Sequence, residues 1–354
     1  MKIAGFLTCL CACFSLARPA LAWNAEGHMI VAQIAYNHLN PALKAQCDAL
    51  IAMPVAYGSS QNSTFVTSAC WADDAKSSLG TGIWHYIDLP FSLDGTPTSG
   101  VTVAPFDVVQ AINLSIATLQ SPSTTQSNKA VSLRYLLHFL GDIHQPLHSS
   151  TAVSASSPSG DAGGNGFSIN GNWNNLHSLW DSGGGYLTDS LPRPLNAVSQ
   201  STLDAKVAAV ETDYPYAPNA GTLPNPMDWA VEGRGLAETV AYVGITRNSA
   251  PSTTYLNTAQ STTEQRMALG GHRLADLLDT LFAPAPISLT CFTSANGSFG
   301  VSWSAVVGRT YSVQWKQQPG DPEWNTVTNV IASGPSASFA ESPAQPQRFY
   351  RVVQ

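Results

Sequence analysis

The stretch RYLLHFLGDIHQPLH, residues 134–148, decides how this chain is read. His138 and Asp142 stand four apart in an apolar-periodic run, so on a helix both side chains share one face. Pro146, which lacks a backbone N–H, stops that helix, and His148 follows at the turn. Three potential metal ligands therefore converge within a short span, and the pairing recurs at His177 and Asp181, again four apart.

Outward from this stretch the pattern is mainly helical. Residues 25–39 and 41–52 read as helices separated by Asn40-Pro41, residues 54–68 as polar loop, and residues 70–76 as helix. Ile83 to Asp88 read as an extended aromatic run, residues 106–119 as an amphipathic helix and residues 128–143 as the helix of the opening stretch. Residues 149–172, rich in Ser, Gly, Ala and Asn, form a long loop beside the cluster; such loops are more often functional than accidental. Further helices are expected at 173–181, 203–214, 227–244 and 262–282, with Trp229, Met267 and Leu274 as core. After Ala283-Pro284-Ala285-Pro286 the period changes to two, as in Phe299, Val301, Trp303 and in Tyr311, Val313, Trp315. The expected organisation is a leader at 1–22, a mainly α domain at 23–283 and a small C-terminal β-sandwich module at 284–354.

Composition narrows the function. Charged residues make up only 11% of the chain and the net charge is -7, which argues against a broad basic surface for duplex DNA. Lys2, the apolar residues 4–16 and Ala20-Leu21-Ala22 form a cleavable leader, too short to span a membrane, with Trp23 as the new N-terminus. A secreted or periplasmic protein is the expectation. Cys9, Cys11 and Cys13 leave with the leader; Cys47–Cys70 is a candidate disulfide with Cys291 unpaired, and the alternative is that all three are reduced and buried. Asn62, Asn113 and Asn296 open N-x-S/T sequons.

Zinc favours imidazole and carboxylate ligands, and five of the eight histidines have a suitable context. They are His138 and His148 with Asp142, His177 with Asp181, His85 with Asp73 across a turn, and His28 on the first helix. Two i,i+4 pairs with an appended histidine are hard to ascribe to chance, whereas one pair would be weak. His144 falls on the far face from Asp142 and reads as a capping or surface residue; His38 and His272 read as lying on helices without an acidic partner in register, and neither is taken as a metal ligand. Asp74 reads as solvated.

At this point the sequence resembles the secreted three-zinc, single-strand-specific nucleases and 3'-nucleotidases, the type I nucleases. The carrying motifs are Trp23-x4-His28, Trp71-Ala72-Asp73, His85-Tyr86-Ile87-Asp88, His138-Phe-Leu-Gly-Asp142, Gln145-Pro-Leu-His148, Gly163-Gly164-Asn165 and Asn175-Leu-His177-x2-Trp180-Asp181. The resemblance implies a zinc-dependent phospholipase C/nuclease-type helical fold over residues 23–282 and excludes the C-terminal module. It implies one zinc on Asp73, His85, His138 and Asp142, and a second, bridged through Asp142, on His28 and the amine and carbonyl of Trp23. The third takes His148, His177 and Asp181. A water shared by two zincs becomes the attacking hydroxide, and the third zinc receives the leaving 3' oxygen. Lys76 stands where the family has a phosphate-steadying arginine, Tyr86 where a base stacks, and Asp88 beside it to orient water or a base edge. The expected substrates are single-stranded DNA, RNA and 3'-nucleotides, cut by a monomer to 5'-phosphate products. The alternative is a zinc-dependent phospholipase C; the short Trp23–His28 spacing, Asp181 in place of Glu, and Tyr86 tell against it. A binding protein with structural zinc is disfavoured because no Cys joins the clusters.

Overall fold

The computed structural model describes residues 23–57, 60–188, 190–217, 225–282, 287–293, 298–305, 309–342 and 347–353. The expected leader at 1–22, the Ala-Pro segment at 283–286 and Asn296 lie outside them. The chain divides into two units, Met1–Leu281 and Phe282–Gln354.

The first unit is built on two helices that are apolar nearly all round, the mark of a central helix. In α1 (Ala25–His38) every residue from Glu26 to Ala35 is buried, and the Asn24 side chain caps it by accepting from the Gly27 N–H at 3.2 Å. In α6 (Gln126–Asp142), capped by Thr125, every residue from Ser132 to Asp142 is buried. Even Arg134 is buried; its guanidinium donates to the Ala130 and Ile51 carbonyls at 3.0 and 2.7 Å, which offsets part of the penalty of sealing a cation away from water. Packed about this pair are α2 (Pro41–Ile51), the one-turn α3 (Phe65–Ser68), α4 (Trp71–Leu79), α5 (Val108–Gln120), α7 (Leu176–Asp181), α8 (Ala197–Asp213), α9 (Pro226–Leu236) and α10 (Thr253–Phe282).

Several boundaries differ from expectation for identifiable reasons. α3 interrupts the expected loop at 54–68 because Thr64 and Thr67 form a capping box. Residues 83–88 are only half extended: Gly82–His85 is a 3-10 turn, fixed by the Trp84 N–H donating to Thr81 O at 3.0 Å, and extended backbone begins at Tyr86. α8 starts earlier, at a capping box between Asn196 and Ser199. α10 also starts earlier; its polar first turns show no obvious stripe, yet Tyr255 and Ala259 are buried there. The helix expected at 227–244 gives way after Leu236 to a π-helical turn at Ala237–Ala241.

The expected loop at 149–172 contains a short strand. β1 (Pro90–Ser92) pairs in parallel with β2 (Thr151–Val153), and flanking bonds from Ile87 N to His148 O and from Leu93 N to Val153 O extend the match. Asp161 fastens the rest of the loop: one oxygen accepts from the Ala152 and Gly164 N–H groups at 2.9 and 3.1 Å, the other from the Tyr242 hydroxyl at 2.7 Å.

The second unit has β3 (Leu289–Thr293), β4 (Phe299–Ser304), β5 (Thr310–Lys316), β6 (Asn325–Ile331), β7 (Ser336–Glu341) and β8 (Phe349–Val353). Two antiparallel sheets, ordered β3-β4-β7 and β6-β5-β8, enclose Val301, Trp303, Tyr311, Val313 and Val352, the inward positions of the two-residue period.

The expected Cys47–Cys70 disulfide is absent. Both are buried free thiols, and Cys70 Sγ turns instead to the Ala25 carbonyl at 3.4 Å. Asn62 is fully buried, so its sequon cannot carry a glycan in the folded chain. Thiol titration of protein lacking residues 1–22, unfolded without reductant, is expected to count Cys47, Cys70 and Cys291 as free; a count of one would restore the disulfide.

Candidate metal centre

The C-terminal end of α6 carries His138 and Asp142, and α1 crosses it at His28. Gly141 permits the crossing, since a Cβ there would stand 2.6 Å from His28 Nδ1. The His28 and His138 rings then stack, with centroids 3.8 Å apart and planes at 14°. α4 adds Asp73 and the Gly82–His85 turn adds His85; the Pro146–Ser149 turn adds His148; α7 adds His177 and Asp181.

These side chains fall into three groups. In the first, His85 Nδ1 and His138 Nε2 lie 3.0 Å apart, 3.0 and 3.2 Å from Asp142 Oδ2, and each 3.6 Å from Asp73 Oδ1. In the second, His28 Nε2 stands 3.5 Å from the other oxygen of Asp142. In the third, His148 Nε2 and His177 Nε2 are 3.1 Å apart, with Asp181 oxygens 3.9 and 3.5 Å away. A tetrahedral zinc with ligands at about 2.0–2.1 Å places neighbouring donors about 3.3–3.4 Å apart, so these spacings suit such an ion.

The protonation pattern suits a bound cation. The Nδ1 atoms of His138, His148 and His177 face the carbonyls of Ala69, His85 and Gly163 at 2.6, 2.8 and 2.7 Å, so each Nδ1 carries the proton. A neutral ring so oriented presents its Nε2 lone pair to the cluster, the usual device by which a second partner fixes a metal-binding histidine. In the third group two such lone pairs confront each other at 3.1 Å, which is repulsive until something positive lies between them. Asp142 is fully buried, and neither its oxygens, His28 Nδ1 and Nε2, nor His85 Nε2 has an aligned hydrogen-bond partner among the described residues.

Burial, reinforced by the neighbouring His138, pushes His28 down to about 3, a neutral ligand at neutral pH. Burial would raise Asp73, but His138 and Lys76 bring it down to about 2. Asp142 is likewise held well below the carboxylate range against its burial, chiefly by His138. Burial raises Asp181 well above that range, the direction expected of a carboxylate that a cation must compensate.

The remaining expected residues are nearby. Lys76 Nζ donates to Asp73 Oδ1 at 2.8 Å. Trp23 is fully buried, packed on Gly27, and the next residue is tied down where Asn24 N donates to Asp181 O at 3.1 Å. Tyr86 is half-buried, and Asp88 is raised to about 6 by burial and by Asp161. Three positioning residues were not assigned roles by sequence reasoning. Gln145 donates to Asp181 Oδ1 at 2.8 Å, and Gly163 supplies the carbonyl that orients His177. Asp161 holds the loop that carries Gly163. Gln145 and Gly163 lie within recognised motifs; Asp161, in a Ser/Gly loop, carries no local signal.

Two expectations need correction. His144 is fully buried, with Nδ1 donating to Leu140 O and Nε2 accepting from Arg273, and it packs on Trp229: α9 and α10 cover the face that was taken for surface. Asp74 is exposed, as expected, and pairs with Arg193 at 2.8 Å. His38 has an acidic partner after all, Glu211, which arrives from α8 and not from its own helix, and His272 has Asp276 four residues on along α10.

Buried imidazoles and carboxylates without thiolate, gathered in a helical unit, are the donor set of a metal-dependent enzyme. The chain matches the S1/P1 Nuclease family over residues 23–283 and belongs to it. It is similar to Endonuclease 3 of Arabidopsis thaliana, 28% identical across 76% of this chain and 92% of that protein. Nuclease P1 of Penicillium citrinum is 27% identical over 73% and 97% of the two chains, and Nuclease S1 of Aspergillus oryzae 26% over 76% and 95%. A crystal structure of Clostridium perfringens alpha-toxin overlaps 93% of this chain and 85% of its own at a TM-score of 0.39 and 13% identity, too loose to carry an argument. The chain is therefore a hydrolytic nuclease, and the phospholipase C alternative is the less supported.

Gly163 has a φ of +60°, and a Cβ there would lie 2.3 Å from Leu147 O. Gly163→Ala is expected to shift the carbonyl off His177 and weaken metal binding at the third group about 10–100-fold, measured by zinc titration against a chelating dye. Unchanged affinity would separate His177 orientation from metal binding.

Proposed function

We propose that this chain is a secreted, monomeric, zinc-dependent endonuclease that cleaves single-stranded DNA and RNA to 5'-phosphate products and also releases phosphate from 3'-nucleotides. The observation that carries it is three adjoining groups of buried imidazoles and carboxylates, in which the His148 and His177 Nε2 atoms confront each other at 3.1 Å and the oxygens of buried Asp142 lack an aligned donor. Three zincs would be held by Asp73, His85, His138 and Asp142; by Asp142, His28 and the amine and carbonyl of Trp23; and by His148, His177 and Asp181. When bound, zinc supplies Lewis acidity toward phosphate oxygens and acidifies water enough for hydroxide near neutral pH.

The chain's own residues do the rest. Asp142 turns one oxygen to the first group and the other to the second, the geometry of a bridging carboxylate. Three ligand carboxylates against three dications leave the centre about three charges positive, an attraction for phosphate that the acidic chain otherwise lacks. Lys76, held on Asp73, is placed to add a point charge beside the reacting phosphate. Tyr86 would stack the base next to the cut, and Asp88 would accept a hydrogen bond from water or a base edge. Stacking demands a base already out of a duplex, which accounts for single-strand preference. Burial of Trp23 and the anchoring of Asn24 to Asp181 and Leu187 support an N-terminus that joins the centre once residues 1–22 are removed. No described helix is long and apolar enough to cross a membrane.

Mature protein is expected to degrade denatured DNA far faster than duplex, to leave 5'-phosphate ends, and to lose activity with a chelator and regain it with zinc. Activity indifferent to chelation would overturn the metal mechanism; cleavage of choline phospholipid without cleavage of denatured DNA would favour the lipase. His177→Ala should remove about one zinc and Asp142→Asn about two by native mass spectrometry, each with at least about a 100-fold fall in kcat. A chain retaining residues before Trp23 should bind fewer zincs, and full activity in that form would refute chelation by the Trp23 amine.

A further inference from the structure

The His38–Glu211 contact belongs to a larger arrangement. His272 on α10 comes up beside it, so that one nitrogen of each histidine and one Glu211 oxygen lie within 4.8 Å of one another. His272 is only 8% exposed, and its Nε2 is buried with no hydrogen-bond partner among the described residues. A buried imidazole nitrogen left unpaired is unfavourable unless something completes it. The His38 and Glu211 side chains are 25% and 21% exposed, which leaves a route in from solvent.

We propose that His38, Glu211 and His272 form an accessory zinc site that ties together α1, α8 and α10. Two imidazoles and one carboxylate with an open fourth position suit zinc, and suit calcium or magnesium poorly. The rings are held in place: Tyr216 stacks on His38 at 4.0 Å and 17°, and meets His272 edge-on at 5.0 Å. The Tyr216 hydroxyl is itself fixed, donating to Asp276 one turn beyond His272 at 2.5 Å. Such locking of first-contact side chains is what a preorganised metal site needs. Burial, with His38 alongside, lowers His272, so its ring is neutral at pH 7 and free to coordinate. The site is separate from the metal centre, since ten residues along α1 place His38 about 15 Å from His28.

The alternative is a plain His38–Glu211 ion pair with His272 as packing. Native mass spectrometry of the full protein in zinc-supplemented buffer distinguishes the two, because it reads a difference whatever the count at the metal centre. Wild type is expected to carry one zinc more than His38→Ala and one more than Glu211→Gln, both on partly exposed side chains where folding should survive. Nuclease activity should be unchanged in both variants, while the rise in Tm on adding zinc to the loaded protein should disappear. Equal zinc counts in wild type and the two variants would overturn the proposal.

Discussion

The structure depends on one buried carboxylate. Asp142 is inaccessible to water, and its oxygens face three imidazoles, of which His138 is fixed by the Ala69 carbonyl. Burying an ionised carboxylate without compensation is prohibitive, so the centre holds together only with positive charge inside it. A proton can supply part of that charge, as the raised affinity of His138 for one indicates, but a divalent ion supplies it at several ligands together.

That requirement organises the surrounding chain. Each orienting carbonyl belongs to a segment remote from the histidine it holds: Ala69 for His138, His85 for His148, Gly163 for His177. The parallel match of β1 with β2 continues the same alignment, since the chain leaving His85 runs beside the chain leaving His148. Segments with little intrinsic structure are thus ordered by the ligands they orient, which explains why the Ser/Gly-rich loop at 149–172 is tied down at Asp161.

His38 and His272 show the same logic on the outer face of α1. Glu211 is invisible along either helix, because it belongs to a third, and Asp276, in register with His272, holds the Tyr216 hydroxyl instead. His144 is the converse. Helical geometry correctly turns it away from Asp142, yet that far face is not surface, because α9 and α10 bring Trp229 and Arg273 against it. Boundaries were misplaced where a cap or a buried aromatic outweighed an undistinguished local pattern, as at Asn196 and Tyr255.

By itself the sequence determined what depends on neighbours along the chain. The i,i+4 pairs His138–Asp142 and His177–Asp181, the helical period of the first unit and the two-residue period of the second follow from backbone geometry alone. Only the tertiary structure decided which groups face one another. It set the approach of α1 to α6 at Gly141, the confrontation of His148 with His177, and the free thiols at Cys47 and Cys70. Those contacts depend on how helices cross, and a crossing is fixed by the packing of whole faces, which no single stretch encodes.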